Sequence, residues 1–102
     1  MIARKYDITS KTHPNNPSLH RIIALRSFGN VREGELGGWI ANAGNLSHAD
    51  NCWVFSDALV YDHAQVFGNA QVYGHAQVFG SARVFGSAYV RLSSVNGNKP
   101  LP

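Results

Sequence analysis

A six-residue repeat constrains the fold of this 102-residue chain more than any other feature. Residues 51–92 divide into consecutive hexads with alanine at the second position and valine at the fourth. The valines are Val54, Val60, Val66, Val72, Val78, Val84 and Val90, and the alanine position holds Cys52, Ala58, Ala64, Ala70, Ala76, Ala82 and Ala88. A repeat of this kind indicates that each unit is one structural element that packs against its neighbours.

Each hexad predicts one short β-strand followed by a corner. In Ala-Gln-Val, the alanine and the valine are two residues apart, so they share one face of a strand and the glutamine lies on the other. Glycine and then Asn, His or Ser follow, which suits a bend with a positive φ. A helix is disfavoured because valines six apart form no stripe of 3.6-residue period. We therefore expect Val and Ala to point inward.

The hexads around Val66-Phe67-Gly68-Asn69-Ala70-Gln71 resemble those of the left-handed parallel β-helix family of hexapeptide-repeat proteins. In that family three hexads make one triangular coil. The resemblance implies an all-β fold with a short left-handed parallel β-helix of about three coils, in which residues three hexads apart stack. The expected stacks are Val54 with Val72 and Val90, Val60 with Val78, and Val66 with Val84.

The chain is expected to form one compact domain with three parts. Residues 1–36 predict an N-terminal β-hairpin cap, residues 37–92 the hexapeptide-repeat β-helix, and residues 93–102 a loop-like C-terminal tail. The alanine position continues backwards to Leu46 and Ile40, although the valine position does not.

Within the cap, alternating residues predict two strands, at 6–9 and 19–26, that pair across a loop. The loop is expected at 11–18, because this segment is rich in Pro and Asn. Gly29-Asn30 and Gly37-Gly38 are expected to form turns that lead into the repeat.

Small phage and prophage proteins of unknown function resemble this chain over nearly its whole length. The resemblance is carried by residues 19–26, 34–40 (Gly-Glu-Leu-Gly-Gly-Trp-Ile), 45–47 and 51–54. That family has no established activity to transfer. The expected function is a non-enzymatic protein-interaction module, in the host cytoplasm if the chain is phage-encoded. The phage resemblance adds a narrower expectation, an inhibitor of a host defence system such as an anti-CRISPR protein.

An aromatic residue follows each valine of the first six hexads and is expected to point outward. These residues are Phe55, Tyr61, Phe67, Tyr73, Phe79 and Phe85. Residues eighteen apart would pair into short ladders on three faces, and exposed aromatic patches of this kind are typical of interfaces. We therefore predict that the aromatic faces mediate self-association, most simply as a homodimer, or contact with a host or phage protein.

The charge distribution leaves an alternative open. Residues 1–32 contain six basic residues and one acidic residue, a balance of +5, whereas residues 33–102 have a balance of −2. A basic cap of this kind either contacts nucleic acid or is simply solvated. The residues expected to contact nucleic acid are Arg4, Lys5, Arg21 and Arg26.

A minimal acyltransferase-like protein is the enzymatic alternative, because hexapeptide helices often perform acyl transfer. Its candidate bases, His63 and His75, occupy corner positions where Asn and Ser also occur, which favours a turn role. No cofactor, metal site or catalytic residue is expected. Cys52 is interpreted as a buried small hydrophobe. No apolar run approaches the roughly 20 residues that a membrane span requires.

Overall fold

The computed structural model describes residues 4–91 and 94–96, and these residues form an all-β fold, as predicted. The strands are β1 Tyr6–His13, β2 Asn16–Ala24, β3 Leu36–Ile40, β4 Trp53–Val54, β5 Leu59–Val60, β6 Gln65–Val66, β7 Gln71–Tyr73, β8 Gln77–Phe79, β9 Arg83–Val84, β10 Tyr89–Arg91 and β11 Ser94–Asn96. A short 3-10 turn spans Ala43–Asn45. Among the described residues, no helix has the length and apolarity needed to cross a bilayer.

The N-terminal strands β1 and β2 pair as an antiparallel hairpin, with Tyr6 opposite Ala24. The predicted loop at 11–18 is wrong, because β1 continues to His13 and β2 already begins at Asn16. Register shifts in the outer half of the hairpin absorb the irregular residues as bulges. Pro17 is compatible with a strand at this point because β3 pairs with β2 only from His20 onward.

The repeat forms parallel ladders in which the paired residues of β4 to β10 are eighteen positions apart. Strands β4, β7 and β10 form one sheet, and β6 and β9 form a second. Strands β5, β8 and β11 belong to a mixed six-stranded sheet that also contains the hairpin, because β3 is antiparallel to β2 and parallel to β5. The predicted valine stacks are confirmed: Val54–Val72–Val90, Val60–Val78 and Val66–Val84.

The corners and the core also match the repeat. The corner glycines Gly68, Gly74, Gly80 and Gly86 all have a positive φ, between 66° and 71°. The inward valine and alanine positions from Cys52 to Val78 are no more than 1% exposed, so the inward orientation and the burial of Cys52 are confirmed.

The repeat is shifted by two residues before β4. Ile40 pairs with Val60 and Leu46 bridges to Val66, so each pair is 20 positions apart (60 − 40 and 66 − 46) rather than 18. The prediction that Ile40 and Leu46 continue the alanine position is therefore wrong: they occupy the valine position. Two extra residues between Leu46 and Val54 account for the shift.

Gly37 and Gly38 lie inside β3 and are buried, so the turn predicted for them is wrong. A Cβ atom on Gly37 would lie 2.6 Å from Cγ1 of Ile22, and one on Gly38 would lie 2.6 Å from the oxygen of Ala58. Glycine is required there because the chains approach closely, not because the chain turns. The turn predicted at Gly29-Asn30 is confirmed, with a φ of 48° at Gly29.

The C-terminal tail was predicted to be loop-like, but residues 94–96 form strand β11. Ser94 pairs with Gln77 and Val95 with Val78, so the tail extends the sheet of β5 and β8. The prediction is wrong for these three residues because the edge of β8 offers a parallel partner. Residues 92–93 and 97–102 lie outside the described residues.

Candidate interaction surface

The outward aromatic residues form ladders, as the repeat predicts. Phe55 and Tyr73 meet edge to face with ring centroids 6.2 Å apart. The other predicted pairs are stacked: the centroid distance is 5.3 Å for Tyr61 with Phe79 and 5.2 Å for Phe67 with Phe85. Offset-stacked and edge-to-face pairs of this kind stabilise neighbouring strands.

Exposure is greatest where the ladders end. Phe55, Tyr61, Phe67, Tyr73 and Phe79 are half-buried. In contrast, Phe85 is 57% exposed and Tyr89 is 67% exposed. The ladders therefore present open aromatic surface at their C-terminal end, on β10 and just beyond β9.

Tyr89 is part of this surface although the sequence analysis did not single it out. It occupies the position that glutamine fills in β6, β7 and β8, and it extends the ladder of Phe55 and Tyr73 with a ring distance of 6.1 Å to Tyr73. The replacement of Gln by Tyr at this position is the signal that could have identified it.

The four basic residues predicted to contact nucleic acid differ in their exposure and in their contacts. Lys5 is fully buried, so it cannot contact a phosphate and its predicted role is wrong. Arg4 is exposed but lies 2.6 Å from a carboxylate oxygen of Asp7. Arg21 is half-buried and packs over the ring of Trp39 at 4.9 Å. Arg26 is exposed near Phe28, with 5.9 Å between guanidinium and ring.

Lys5 instead fastens the leader, residues 4–35, to the repeat. Its Nζ atom donates to the backbone oxygen of Cys52 at 2.7 Å and to that of Ala49 at 3.3 Å, and it lies 3.3 Å from the Sγ atom of Cys52. Burial lowers the pKa of Lys5 and raises the pKa of the Cys52 thiol. Enclosed among backbone carbonyls, this pair has a structural role.

Tyr6 and His48 complete the contact between leader and repeat. The two rings stack with centroids 4.1 Å apart, and the hydroxyl of Tyr6 donates to the oxygen of Leu46 at 2.6 Å. Burial raises the pKa of Tyr6 to about 12. The pKa of His48 is lowered by burial and by the nearby charges of Arg4, Lys5 and Arg26.

A groove of about 620 Å³ lies between the tip of the hairpin and the sheet of β5 and β8. Its side chains include His13, Asp57, Tyr61, His75 and Gln77. The hydroxyl of Tyr61 donates to Oε1 of Gln77 at 3.3 Å. One candidate base of the acyltransferase alternative therefore lines a groove. Among the described residues that line the groove there is no Lys or Arg.

The second candidate base, His63, is an exposed corner residue. Its backbone N–H donates to the oxygen of Gly80 at 3.0 Å, which is part of the regular bonding between corners. In the part of the chain that the structure describes, no three His, Cys, Asp or Glu side chains are close enough to hold a metal ion.

Comparisons with protein-family models, with curated proteins and with solved structures find no match to this chain.

Proposed function

We propose that this chain is a non-enzymatic protein-interaction module built on a left-handed parallel β-helix over residues 37–92. The valine stacks eighteen residues apart and the positive-φ corners support this architecture. The hand rests on the resemblance to hexapeptide-repeat proteins. A wound rod of this kind holds its outward side chains in fixed rows, which suits a binding surface that orders little on contact.

The observation that carries the proposal is the exposure of Phe85 and Tyr89 at the end of the aromatic ladders. Large aromatic side chains are enriched at the centres of protein interfaces, where a few of them supply most of the binding free energy. The partner is a second copy of the chain or another protein, and the contact buries these rings.

Binding experiments with a Phe85→Ser, Tyr89→Ser double variant test the proposal. Light scattering measures self-association. Pull-down on the immobilised chain measures the binding of other proteins. Because both rings are exposed and the variant loses one ring contact at each position, it should stay folded and melt only several degrees below the wild type, but lose the contact with its partner. Leu36→Ser is the matched control, since Leu36 is 52% exposed at the start of β3 and away from the ladder ends. The proposal would be contradicted if the wild type stays monomeric and captures only proteins that the double variant also captures.

The resemblance to phage proteins predicts more narrowly that the partner is a host protein which the chain inhibits. Host defence complexes assayed with and without the purified chain test this prediction. An acyltransferase-like activity is the second candidate, and the specific observation in its favour is that His75 lines the groove with Asp57 and Tyr61. Acyl-CoA turnover that disappears in His75→Ala would establish it.

A further inference from the structure

The floor of the groove beneath the hairpin tip is the outward face of the sheet that contains β3, β5 and β8. Trp39, Leu59 and Gln77 are in register across these strands and form one row of the floor. Tyr61 lies two residues after Leu59 and lines the groove beside this row. Its hydroxyl donates to Oε1 of Gln77, which leaves the amide nitrogen of Gln77 as a donor for a ligand. The floor therefore combines apolar area with oriented polar groups.

The hairpin tip forms the opposite wall and is held in place over the floor. The ring of His13 meets the ring of Trp39 edge-on, with centroids 5.0 Å apart. The guanidinium of Arg21 lies 4.9 Å from the ring of Trp39 and donates to the backbone oxygen of Ser56 at 3.4 Å. These contacts fix the indole relative to the hairpin and to the corner before β5. A groove whose walls are fixed in advance loses little conformational entropy when a ligand enters.

A carboxylate and an imidazole line one end of the groove. Asp57 precedes β5 and His75 precedes β8, so they occupy the same corner of two neighbouring layers. In the part of the chain that the structure describes, neither side chain makes a hydrogen bond or an ion pair. By contrast, the side chain of Asn69, at another corner, accepts a hydrogen bond of 3.3 Å from the backbone N–H of Asn51. The polar atoms of Asp57 and His75 therefore remain available to a ligand.

We propose that this groove binds a neutral saccharide unit. The carboxylate of Asp57 accepts hydrogen bonds from sugar hydroxyl groups, and the amide nitrogen of Gln77 donates to a sugar oxygen. The C–H face of the sugar ring packs against Leu59 and Tyr61. A saccharide fits this set of groups because each hydroxyl both donates and accepts hydrogen bonds, while one face of the ring carries mainly C–H groups. The volume of about 620 Å³ lies within the range of small-molecule sites.

Charge favours a neutral ligand over a charged one. The carboxylate of Asp57 repels the phosphate or carboxylate group of an anionic ligand. A cationic ligand gains little from Asp57, because this residue is exposed and ion pairs at exposed carboxylates are weak. It also meets the positive charge of Arg21, which bonds to the residue just before Asp57. Hydrogen bonds to neutral hydroxyl groups carry neither of these penalties.

Nuclear magnetic resonance of the full chain, titrated with glucose, galactose, N-acetylglucosamine and maltose, tests the proposal. At least one of these probes should bind with a dissociation constant of roughly millimolar order and shift the amide signals of residues 57–61 and 75–77. Asp57→Ala should raise that constant at least roughly tenfold, because a hydrogen bond to a charged group is lost. Gln77→Ala should weaken binding as well. Gln71→Ala is the matched control, since Gln71 fills the same hexad position in the sheet of β4 and β10.

The remaining outcomes overturn the inference. No binding of any probe at about ten times the expected dissociation constant rejects the saccharide site. Tighter binding of lysine amide or of coenzyme A in the same groove rejects a neutral ligand. The Phe85→Ser, Tyr89→Ser variant separates this site from the proposed protein contact, because neither residue lines the groove. That variant should bind the saccharide like the wild type, and a loss of binding there would place the site at the ladder ends instead.

Discussion

The Nζ atom of Lys5 donates a hydrogen bond of 2.7 Å to the backbone oxygen of Cys52, which ties the leader to the first hexad of the repeat. The ammonium group is fully buried and also lies 4.7 Å from the ring of Phe28. A buried lysine costs free energy through desolvation, and its hydrogen bonds to carbonyl groups offset that cost. Lys5 therefore contributes to the stability of the contact between the leader and the repeat through its hydrogen bonds.

Lys5→Met should lower the free energy of unfolding by about 2 kcal/mol, because the carbonyl groups of Ala49, Asp50 and Cys52 lose their common donor. For a domain of this size the melting temperature should fall by roughly 10 °C. Lys11→Met, at an exposed position of the same strand, is the control and should melt like the wild type. A Lys5→Met variant as stable as the wild type would show that desolvation outweighs the hydrogen bonds.

Acid should destabilise the chain through His48. Its Nδ1 atom accepts a hydrogen bond of 3.0 Å from the backbone N–H of Lys5, and burial together with Arg4, Lys5 and Arg26 lowers its pKa. Because the folded-state pKa lies below the ordinary value of about 6.5, the contribution of His48 is present above that pH and is lost as the pH falls through the folded-state pKa.

The measurement is the melting temperature between about pH 7 and pH 4.5, a range in which an unperturbed histidine also titrates. The wild type should lose a few degrees toward low pH, and His48→Gln should lose less. His63→Gln changes an exposed corner histidine and should keep the wild-type dependence. If His48→Gln and the wild type lose stability in parallel, another group is responsible.

The repeat made the parallel ladders, the inward valines and the aromatic pairs predictable, because a six-residue period places the same side chain at the same point of every layer. The shift at Ile40 and Leu46 was not predictable in this way. Counting in sixes cannot detect two inserted residues where the repeat has already decayed.

The leader was predictable only in outline. Lys5 lies beside Arg4 in the sequence and has the same charge, yet Lys5 is buried and Arg4 exposed. Only the fold brings the carbonyl groups of residues 49–52 to Lys5. No local sequence pattern indicates hydrogen-bond partners that are more than forty positions away. The turn predicted at Gly37-Gly38 was wrong for the same reason. The side chains that crowd these two glycines are distant in sequence, so no local pattern indicates the close packing.

Gly37→Ala should be among the most destabilising single changes in the chain. The new Cβ would lie 2.6 Å from Cγ1 of Ile22 and 2.7 Å from both Cζ2 of Trp53 and the oxygen of Val54. Ile22 and Trp53 are fully buried and cannot move without disturbing the packing of the leader against the repeat. We therefore expect the free energy of unfolding to fall by about 3 kcal/mol or more.

Gly86→Ala separates this steric effect from backbone strain. Gly86 has a φ of +66°, but a Cβ there would meet no atom within 4 Å. The free energy of unfolding should therefore fall by only about 1–2 kcal/mol, which is the cost of a left-handed backbone conformation at a non-glycine residue. Chemical denaturation of both variants gives the two values, and a Gly37→Ala loss no larger than that of Gly86→Ala would contradict the close-packing account.

Val72→Asp tests the inward packing of the repeat itself. Val72 is fully buried in the middle strand of its sheet, paired with Val54 on one side and Val90 on the other. An aspartate there would bury a carboxyl group with no polar partner in the described core and would break the valine stack in both directions, at a cost of more than about 4 kcal/mol. That loss is a large fraction of the about 5–15 kcal/mol by which small domains are stable, so the variant should melt far below the wild type by circular dichroism. Gln71→Asp introduces the same side chain one residue earlier, at an outward position, and should remain folded. A cooperative melt of Val72→Asp near the wild-type temperature would reject an inward Val72.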